Sequence, residues 1–136
     1  MTIGYASGVF DMFHIGHLNI LRQASLGCDH LIAGVVTDEA VLQIKGRAPA
    51  IPQLERMQIV AAIRYVDEVV SDDSADKLQV WHAHPFDVIF KGDDWKGTAK
   101  GRRLESAMAG VGVEVAYFPY TVHTSSTQLR RFLDGA

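Results

Sequence analysis

Two histidines three residues apart are the side chains of this sequence best suited to chemistry. His14 and His17 lie on either side of Gly16, after an apolar run of strand length and before a run with the apolar spacing of one helical face. We therefore expect them at the beginning of a helix, where unpaired backbone N–H groups and the helix dipole attract anions. Imidazoles there can donate hydrogen bonds to a polyphosphate, and Gly16 leaves room for a ligand. The spacing thus indicates phosphate chemistry.

Two other interpretations of the pair stay open at this point. His14 and His17 can simply be polar residues in the first turn of an amphipathic helix. They can also be metal ligands, but zinc ligands on a helix are usually four residues apart and have a third partner, and no third partner is nearby in this sequence.

A hydroxyl-rich segment near the end of the sequence predicts a second helix start. The segment includes Thr124, Ser125, Ser126 and Thr127, and Arg130 follows about one helical turn later. Serine and threonine are common helix caps, so we expect Ser125 or Ser126 to cap a C-terminal helix. The same residues can bind phosphate if both helix starts lie at one edge of the fold. The two starts could then hold opposite ends of a triphosphate.

The elements that must position these residues alternate between strand and helix. Such alternation predicts an α/β fold, a Rossmann-like doubly wound parallel five-stranded sheet with helices on both faces, in a single domain over residues 1–136. Near-continuous apolar strands fit a sheet that is buried on both sides. Strands are predicted over residues 3–7, 30–37, 66–71, 88–91 and 113–118, helices over residues 18–26, 54–63, 75–82 and 101–110, and a loop over residues 43–52.

Polar clusters follow four of the predicted strand ends. Because ligands of open parallel sheets bind beyond the carboxyl ends of the strands, we expect these clusters to converge on one rim. Asp93 and Trp95 follow one strand and can form either a tight turn or a wall of a substrate pocket. Lys45 and Arg47 fall in the predicted loop, where they can be solvated charges or can close over phosphates. The four clusters are residues 14–17, 37–39, 92–95 and 121–127.

The composition narrows the class of protein. A formal net charge of −3 argues against nonspecific nucleic-acid binding, which needs a broad basic surface. The one cysteine, Cys28, excludes an internal disulfide and is typical of a reducing compartment. No apolar run is long enough for a membrane span, and no signal-peptide pattern is present. We therefore expect a cytoplasmic protein that binds neither nucleic acid nor membrane.

The motifs in their order resemble the small nucleotidyltransferases that carry H-x-G-H, and most of all the glycerol-3-phosphate cytidylyltransferases. The resemblance spans nearly the whole chain, and several ordered motifs are more specific than H-x-G-H alone. It rests on residues 8–11 and 14–17, 37–39, 55–56, 63–69, 92–95 and 124–130. One departure is that Tyr120 and His123 stand where those enzymes commonly have arginine and glycine. Another is that residues 44–56 also resemble the heptose-1-phosphate adenylyltransferases.

The resemblance implies a reaction. CMP from CTP would be transferred to a small polyol phosphate such as glycerol-3-phosphate, with release of pyrophosphate and formation of a CDP-alcohol. The alternatives are an adenylyltransferase that uses ATP and a sugar phosphate, and a non-catalytic nucleotide-binding subunit. The resemblance further implies Mg²⁺ as cofactor and a homodimer.

The resemblance also implies roles for particular residues. The catalytic set would be His14, His17, Lys45 and Arg64. Asp38, Arg56, Trp95 and Tyr120 would bind the substrate, and Asp11 would lie by the Mg²⁺ together with the nucleotide phosphates. The nucleotide-binding set would be Gly8, Val9, Phe10, Asp11, Gly16, Asp93, Thr124, Ser125, Ser126, Thr127 and Arg130.

Overall fold

Five parallel strands form one sheet in the computed structural model, which describes residues 1–73, 76–119 and 126–135. The strands are β1 (Ile3–Gly8), β2 (His30–Val36), β3 (Glu68–Asp72), β4 (Val88–Gly92) and β5 (Glu114–Phe118). Every neighbouring pair is parallel, and the order across the sheet is β3-β2-β1-β4-β5. The predicted α/β fold with a five-stranded parallel sheet is confirmed.

Helices cover both faces of this sheet. They are α1 (Ile15–Leu26), α2 (Asp38–Lys45), α3 (Gln53–Ala61), α4 (Lys77–Ala83), α5 (Ala99–Ala109) and α6 (Ser126–Leu133), with a short 3₁₀ helix over Asp93–Trp95. Side chains alternate between the two faces of each strand, so the sheet has a core on either side. The first core cluster contains residues of α1 and α3, and the second contains residues of α4 and α5.

The start of one helix and the presence of another differ from the sequence-based expectation, and both differences affect the site. Helix α1 begins at Ile15, three residues earlier than predicted, because the His14 side chain caps it. Helix α2 was not predicted, and residues 43–45 of the expected loop are its last turn. Thr37 caps α2 through a hydrogen bond from the Ala40 N–H to its Oγ1 (3.1 Å), and Gly46 ends it in the left-handed conformation at φ 77°.

The winding of the chain reverses between β1 and β4. The chain proceeds from β1 through β2 to β3 on one side and then continues with β4 and β5 on the other side of β1. In open parallel sheets, the crevice beyond the carboxyl ends at such a reversal is the usual place for a ligand. The segment that follows β1 carries both histidines, so the topology brings them to this crevice. Within the described ranges, no helix is long and apolar enough to cross a membrane.

Candidate active site

The histidine pair forms the first turn of α1. The His14 Nδ1 accepts a hydrogen bond from the Gly16 N–H (3.1 Å), and the His17 Nδ1 accepts one from the His14 N–H (3.3 Å). The two imidazole rings are stacked with centroids 3.9 Å apart. Backbone N–H groups at the helix start thus fix both rings as one unit. In a neutral imidazole whose Nδ1 accepts, the proton is on Nε2. In this geometry each neutral ring carries its donor on Nε2, which is the atom that can bind a phosphate oxygen.

The turn between β1 and α1 is strained, and the strain sets the position of His17. Phe10 and Met12 have positive φ angles of 54° and 49°, which bulky side chains rarely adopt. Such conformations persist only where the surroundings enforce them. Phe10 is almost fully buried, and its ring packs edge-on against the His17 ring with centroids 5.5 Å apart. A Cβ at Gly8 would approach the same ring to 3.0 Å, so the turn is tightly packed from both sides.

Asp11 ties three segments together at this turn. Its Oδ1 accepts from the Ile51 N–H (2.9 Å), and its Oδ2 accepts from the Ala50 N–H and from Arg130 Nη2 (both 2.8 Å). Its backbone carbonyl accepts from the Ser126 hydroxyl (2.6 Å). Asp11 is only 4% exposed. This buried carboxylate therefore fastens both the loop before α3 and helix α6 to the end of β1.

These segments enclose one cleft. The expectation that the imidazoles and the C-terminal hydroxyl residues converge holds for His17, Ser126 and Thr127, which line the same cavity. Lys45 and Arg47 add positive charge from the end of α2 and the loop that follows. The cleft is lined by Ser7, Gly8, Val9, Phe10, Asp11, His17, Ile20, Val41, Lys45, Arg47, Ala48, Pro49, Ser126, Thr127 and Arg130.

Arg56 does not lie where a substrate could reach it. Its guanidinium is buried and donates to the carbonyls of Ile51 (2.8 Å), Val9 (2.7 Å) and Val36 (2.8 Å) and to Asp38 Oδ1 (2.6 Å). All its nitrogens are directed to protein oxygens. The structure thus makes Arg56 a positioning residue that joins the ends of β1 and β2 to the loop. Asp38 serves as its partner at the beginning of α2.

Arg64 is not brought to the cleft. It is exposed, it precedes β3 and so lies toward the amino ends of the strands, and its guanidinium contacts the Tyr65 hydroxyl (3.2 Å) and ring. Asp93 and Trp95 do lie at the carboxyl edge, in the 3₁₀ helix after β4. The Trp95 ring packs against the second core cluster, and Lys91 Nζ lies 4.2 Å from its centroid. Tyr120, His123, Thr124 and Ser125 are outside the described residues.

The Asp11 carboxylate, which the resemblance places by the Mg²⁺, is not suited to bind a metal ion. Both Asp11 oxygens already accept hydrogen bonds from the protein, and one of them is paired with Arg130. Among the described residues, no group of three or more His, Cys, Asp or Glu side chains could hold a metal ion. Mg²⁺ commonly binds through substrate phosphates and waters with few protein ligands. An ion at this site would accordingly be held by the nucleotide rather than by Asp11.

Sequence reasoning gave no role to Lys91, the one charged residue of β4. It is half-buried, and burial together with the nearby Lys77 ammonium lowers the pKa of Lys91 to about 8. A lysine at the end of the apolar run Val88-Ile89-Phe90 was the available signal, because ammonium groups are rarely buried without a partner.

The amino-acid sequence is similar to known proteins over most of its length. The model of the "Cytidylyltransferase-like" family matches residues 5–132. The chain is 37% identical over 114 residues to an FAD synthase of Pyrococcus abyssi, covering 83% of this chain and 77% of that protein. It is 44% identical over 97 residues to an ethanolamine-phosphate cytidylyltransferase of Arabidopsis thaliana, covering 66% of this chain and 22% of that protein. It is also 37% identical over 110 residues to the bifunctional protein HldE of Acidiphilium cryptum.

The match covers 77% of the archaeal relative but only about a fifth of the plant and Acidiphilium proteins. Among solved structures, the lipopolysaccharide core biosynthesis protein of Thermoplasma volcanium superimposes with a TM-score of 0.75 at 23% identity, covering 91% of this chain and 99% of that one. This likeness shows that the fold is shared.

Proposed function

The chain belongs to the cytidylyltransferase-like family of nucleotidyltransferases, and we propose that it transfers CMP from CTP to the phosphate of a small polyol phosphate, most specifically glycerol-3-phosphate. The observation that carries this proposal is the convergence of His17, the Lys45–Arg47 segment and the start of α6 on one cleft. Imidazole, ammonium, guanidinium and hydroxyl donors in one cavity match the several oxygens of a triphosphate.

The chemical step needs positioning and charge stabilisation rather than a protein nucleophile. An oxygen of the acceptor phosphate attacks the α-phosphorus of CTP, and the bond from that phosphorus to the bridging oxygen breaks. Pyrophosphate leaves with the electron pair of that bond, and the product is a CDP-alcohol. The Nε2–H donors of His14 and His17 stabilise charge on the α and β phosphates. Lys45 and Arg130 neutralise charge on the departing pyrophosphate.

Several further features belong to the same proposal. Mg²⁺ would enter bound to the phosphates of CTP and would supply charge neutralisation on the leaving group. Asp93 and Trp95, at the carboxyl edge beside β1, would contact the nucleotide and the substrate. Ser126 and Thr127 would bind the terminal phosphates. We also propose that the protein is a cytoplasmic homodimer, in which a role for Arg64 would require the partner subunit.

The choice of CTP is supported by the 44% identity to an ethanolamine-phosphate cytidylyltransferase and by the Gly92-Asp93-Asp94-Trp95 motif. The rival is an adenylyltransferase that uses ATP and a sugar phosphate. Similarity to an FAD synthase and to the bifunctional protein HldE favours this rival. The two proposals share the cleft and differ in the base and the acceptor.

A matrix of substrates distinguishes them. Pyrophosphate release is measured for CTP, ATP, GTP and UTP, each with glycerol-3-phosphate, ethanolamine phosphate, heptose 1-phosphate and flavin mononucleotide. We expect the highest kcat/KM for CTP with glycerol-3-phosphate. Turnover with ATP and a sugar phosphate but not with CTP would replace the proposal by its rival. Thermal stabilisation by nucleotides without turnover in any combination would instead indicate a binding subunit.

A further inference from the structure

Lys91 lies on the face of the sheet opposite to the histidine pair. Ile89, two residues earlier in β4, belongs to the core cluster that α4 and α5 cover, so Lys91 points to the same side. Helix α1 packs on the other face through Leu21 and Ala24. Tyr5 pairs with Ile89, and continuing this register places Lys91 beside Ser7, which lines the cleft. Lys91 thus reaches the β1–β4 crevice from the side that α1 does not occupy.

The sheet face between Lys91 and β3 forms a floor, and the Tyr5 side chain lies over its Gly34. A Cβ at Gly34 would collide with the Tyr5 hydroxyl, which crosses β2 to donate to Asp72 Oδ2 (2.6 Å). Lys77 Nζ binds the same oxygen (2.6 Å). One carboxylate is therefore shared by Tyr5 and Lys77 at the edge of this floor.

The Lys91 ammonium has no ion pair or hydrogen bond with any described residue, and it lies 4.2 Å from the centroid of the Trp95 ring. A half-buried cation that no carboxylate contacts directly is costly, and the nearby Lys77 ammonium increases the cost, which the Asp72 and Asp94 carboxylates offset in part. An anion that binds there would remove this cost. The charged and titratable groups that act on Lys91 are Lys77 of α4, Asp72 of β3, Asp94 of the 3₁₀ helix and Lys100 of α5.

The reaction itself requires an anion on this side. In-line displacement places the attacking oxygen opposite the leaving oxygen. His17, which the proposal assigns to the α and β phosphates, belongs to α1 and stands on the α1 side of the crevice. The acceptor phosphate must then approach from the side of α4 and α5, where Lys91 stands.

We infer that Lys91, with Lys77 behind it, binds the phosphate of the acceptor and so determines acceptor affinity rather than nucleotide affinity. This inference rests on the proposed nucleotidyl transfer. Lys91 would hold the acceptor phosphate in line with the α-phosphorus, and the Trp95 ring would keep its ammonium in place. The acceptor class is accordingly a phosphate monoester dianion.

The test compares Lys91→Met with Lys100→Met, a matched control because Lys100 is exposed and lies over the same Trp95 ring at 5.8 Å. With CTP saturating and glycerol-3-phosphate varied, Lys91→Met should raise the acceptor KM about 10- to 100-fold and leave the CTP KM within about twofold. Lys91→Arg should recover part of the loss. Lys100→Met should change neither constant.

Two readouts separate this role from a structural one. Lys91→Met should be at least as stable as the wild type, because it removes a half-buried charge that forms no ion pair with the described residues, whereas a structural cation–π contact would make it less stable. The wild-type acceptor KM should also rise as the pH passes about 8, because Lys91 is charged only below its pKa, and this rise should be absent in Lys91→Met.

Failure of the inference can be told from failure of the proposed function. If the wild type turns over and Lys91→Met keeps its acceptor KM, the inference is overturned and the transferase stands. If the wild type turns over with no substrate pair, the proposed function falls, and calorimetric titration with glycerol-3-phosphate and with inorganic phosphate decides the inference. Binding to the wild type that Lys91→Met loses supports the site. Equal binding, or none to either protein, refutes it.

Discussion

Replacing Arg56 tests whether the cleft depends on a buried positioning residue. Arg56→Met keeps most of the side-chain volume but removes every donor, and it leaves the carbonyls of Val9, Val36 and Ile51 and the Asp38 carboxylate without their partner. Each buried acceptor left unsatisfied costs about 1–3 kcal/mol, and breaking a buried ion pair costs about 3–5 kcal/mol. Because Asp38 is partly exposed, water offsets most of the ion-pair loss, so the three carbonyls at about 1 kcal/mol each and the remainder of the pair give about 3–5 kcal/mol.

Urea denaturation followed by circular dichroism measures this loss. A decrease of about 3–5 kcal/mol corresponds to roughly 10–20 °C in Tm for a chain of this size. The matched control is Arg64→Met, because Arg64 is an exposed arginine whose guanidinium contacts its neighbour Tyr65; we expect a change within about 0.5 kcal/mol. The reasoning is refuted if Arg56→Met unfolds within about 1 kcal/mol of the wild type.

Three further changes probe the cleft and the sheet. His17→Ala should lower kcat at least about a hundredfold, the scale of losing one transition-state donor, in a pyrophosphate-release assay; an unchanged kcat would remove its proposed role. Asp11→Asn should weaken CTP binding about tenfold, measured by calorimetry, because Arg130 and the loop lose their common anchor; CTP affinity equal to that of the wild type would contradict this. Gly34→Ala should destabilise the fold by about 2–4 kcal/mol in urea titrations, because its Cβ meets the Tyr5 hydroxyl, and tolerance of alanine would show that Tyr5 can move.

The sheet could be predicted from the sequence because its strands are buried on both faces and are therefore nearly continuous apolar segments. The five predicted strands correspond to the five observed ones with shifts of one or two residues. Helix α2 was not predicted because it has only eight residues, and Gly46, Pro49 and Pro52 indicated a loop that included its last turn. The residues that indicated this helix are at its two ends: Thr37, which caps its N-terminus, and Gly46, which ends it in the left-handed conformation. Short helices defined by their ends rather than by a buried face are difficult to predict from periodicity.

From the sequence, the position of a residue in the site was predictable only where the residue follows the end of a predicted strand. The histidine turn and the α6 hydroxyl residues follow strand ends, and parallel topology brings strand ends together. Arg56 and Arg64 look alike in sequence, but one is enclosed by backbone carbonyls and the other is exposed at the far edge. No pattern distinguishes them, because the acceptors of Arg56 are main-chain oxygens that every residue possesses. Lys91 was overlooked although it ends an apolar run, because its lowered pKa comes first from burial and then from Lys77, and the strand sequence alone shows neither.

The Asp11–Arg130 pair explains how a cationic cleft can be assembled before an anion arrives. Arg130 shares the cleft with Lys45 and Arg47, and these like charges would repel one another in the empty site. Asp11 offsets this repulsion and fixes the Arg130 guanidinium through one of its nitrogens. A guanidinium has five N–H donors, so one ion pair leaves capacity for a phosphate. The arginine is thereby ordered before binding, which lowers the conformational entropy lost when CTP binds. The same carboxylate orders the Ala50 and Ile51 backbone, so nucleotide affinity and loop position are coupled through Asp11.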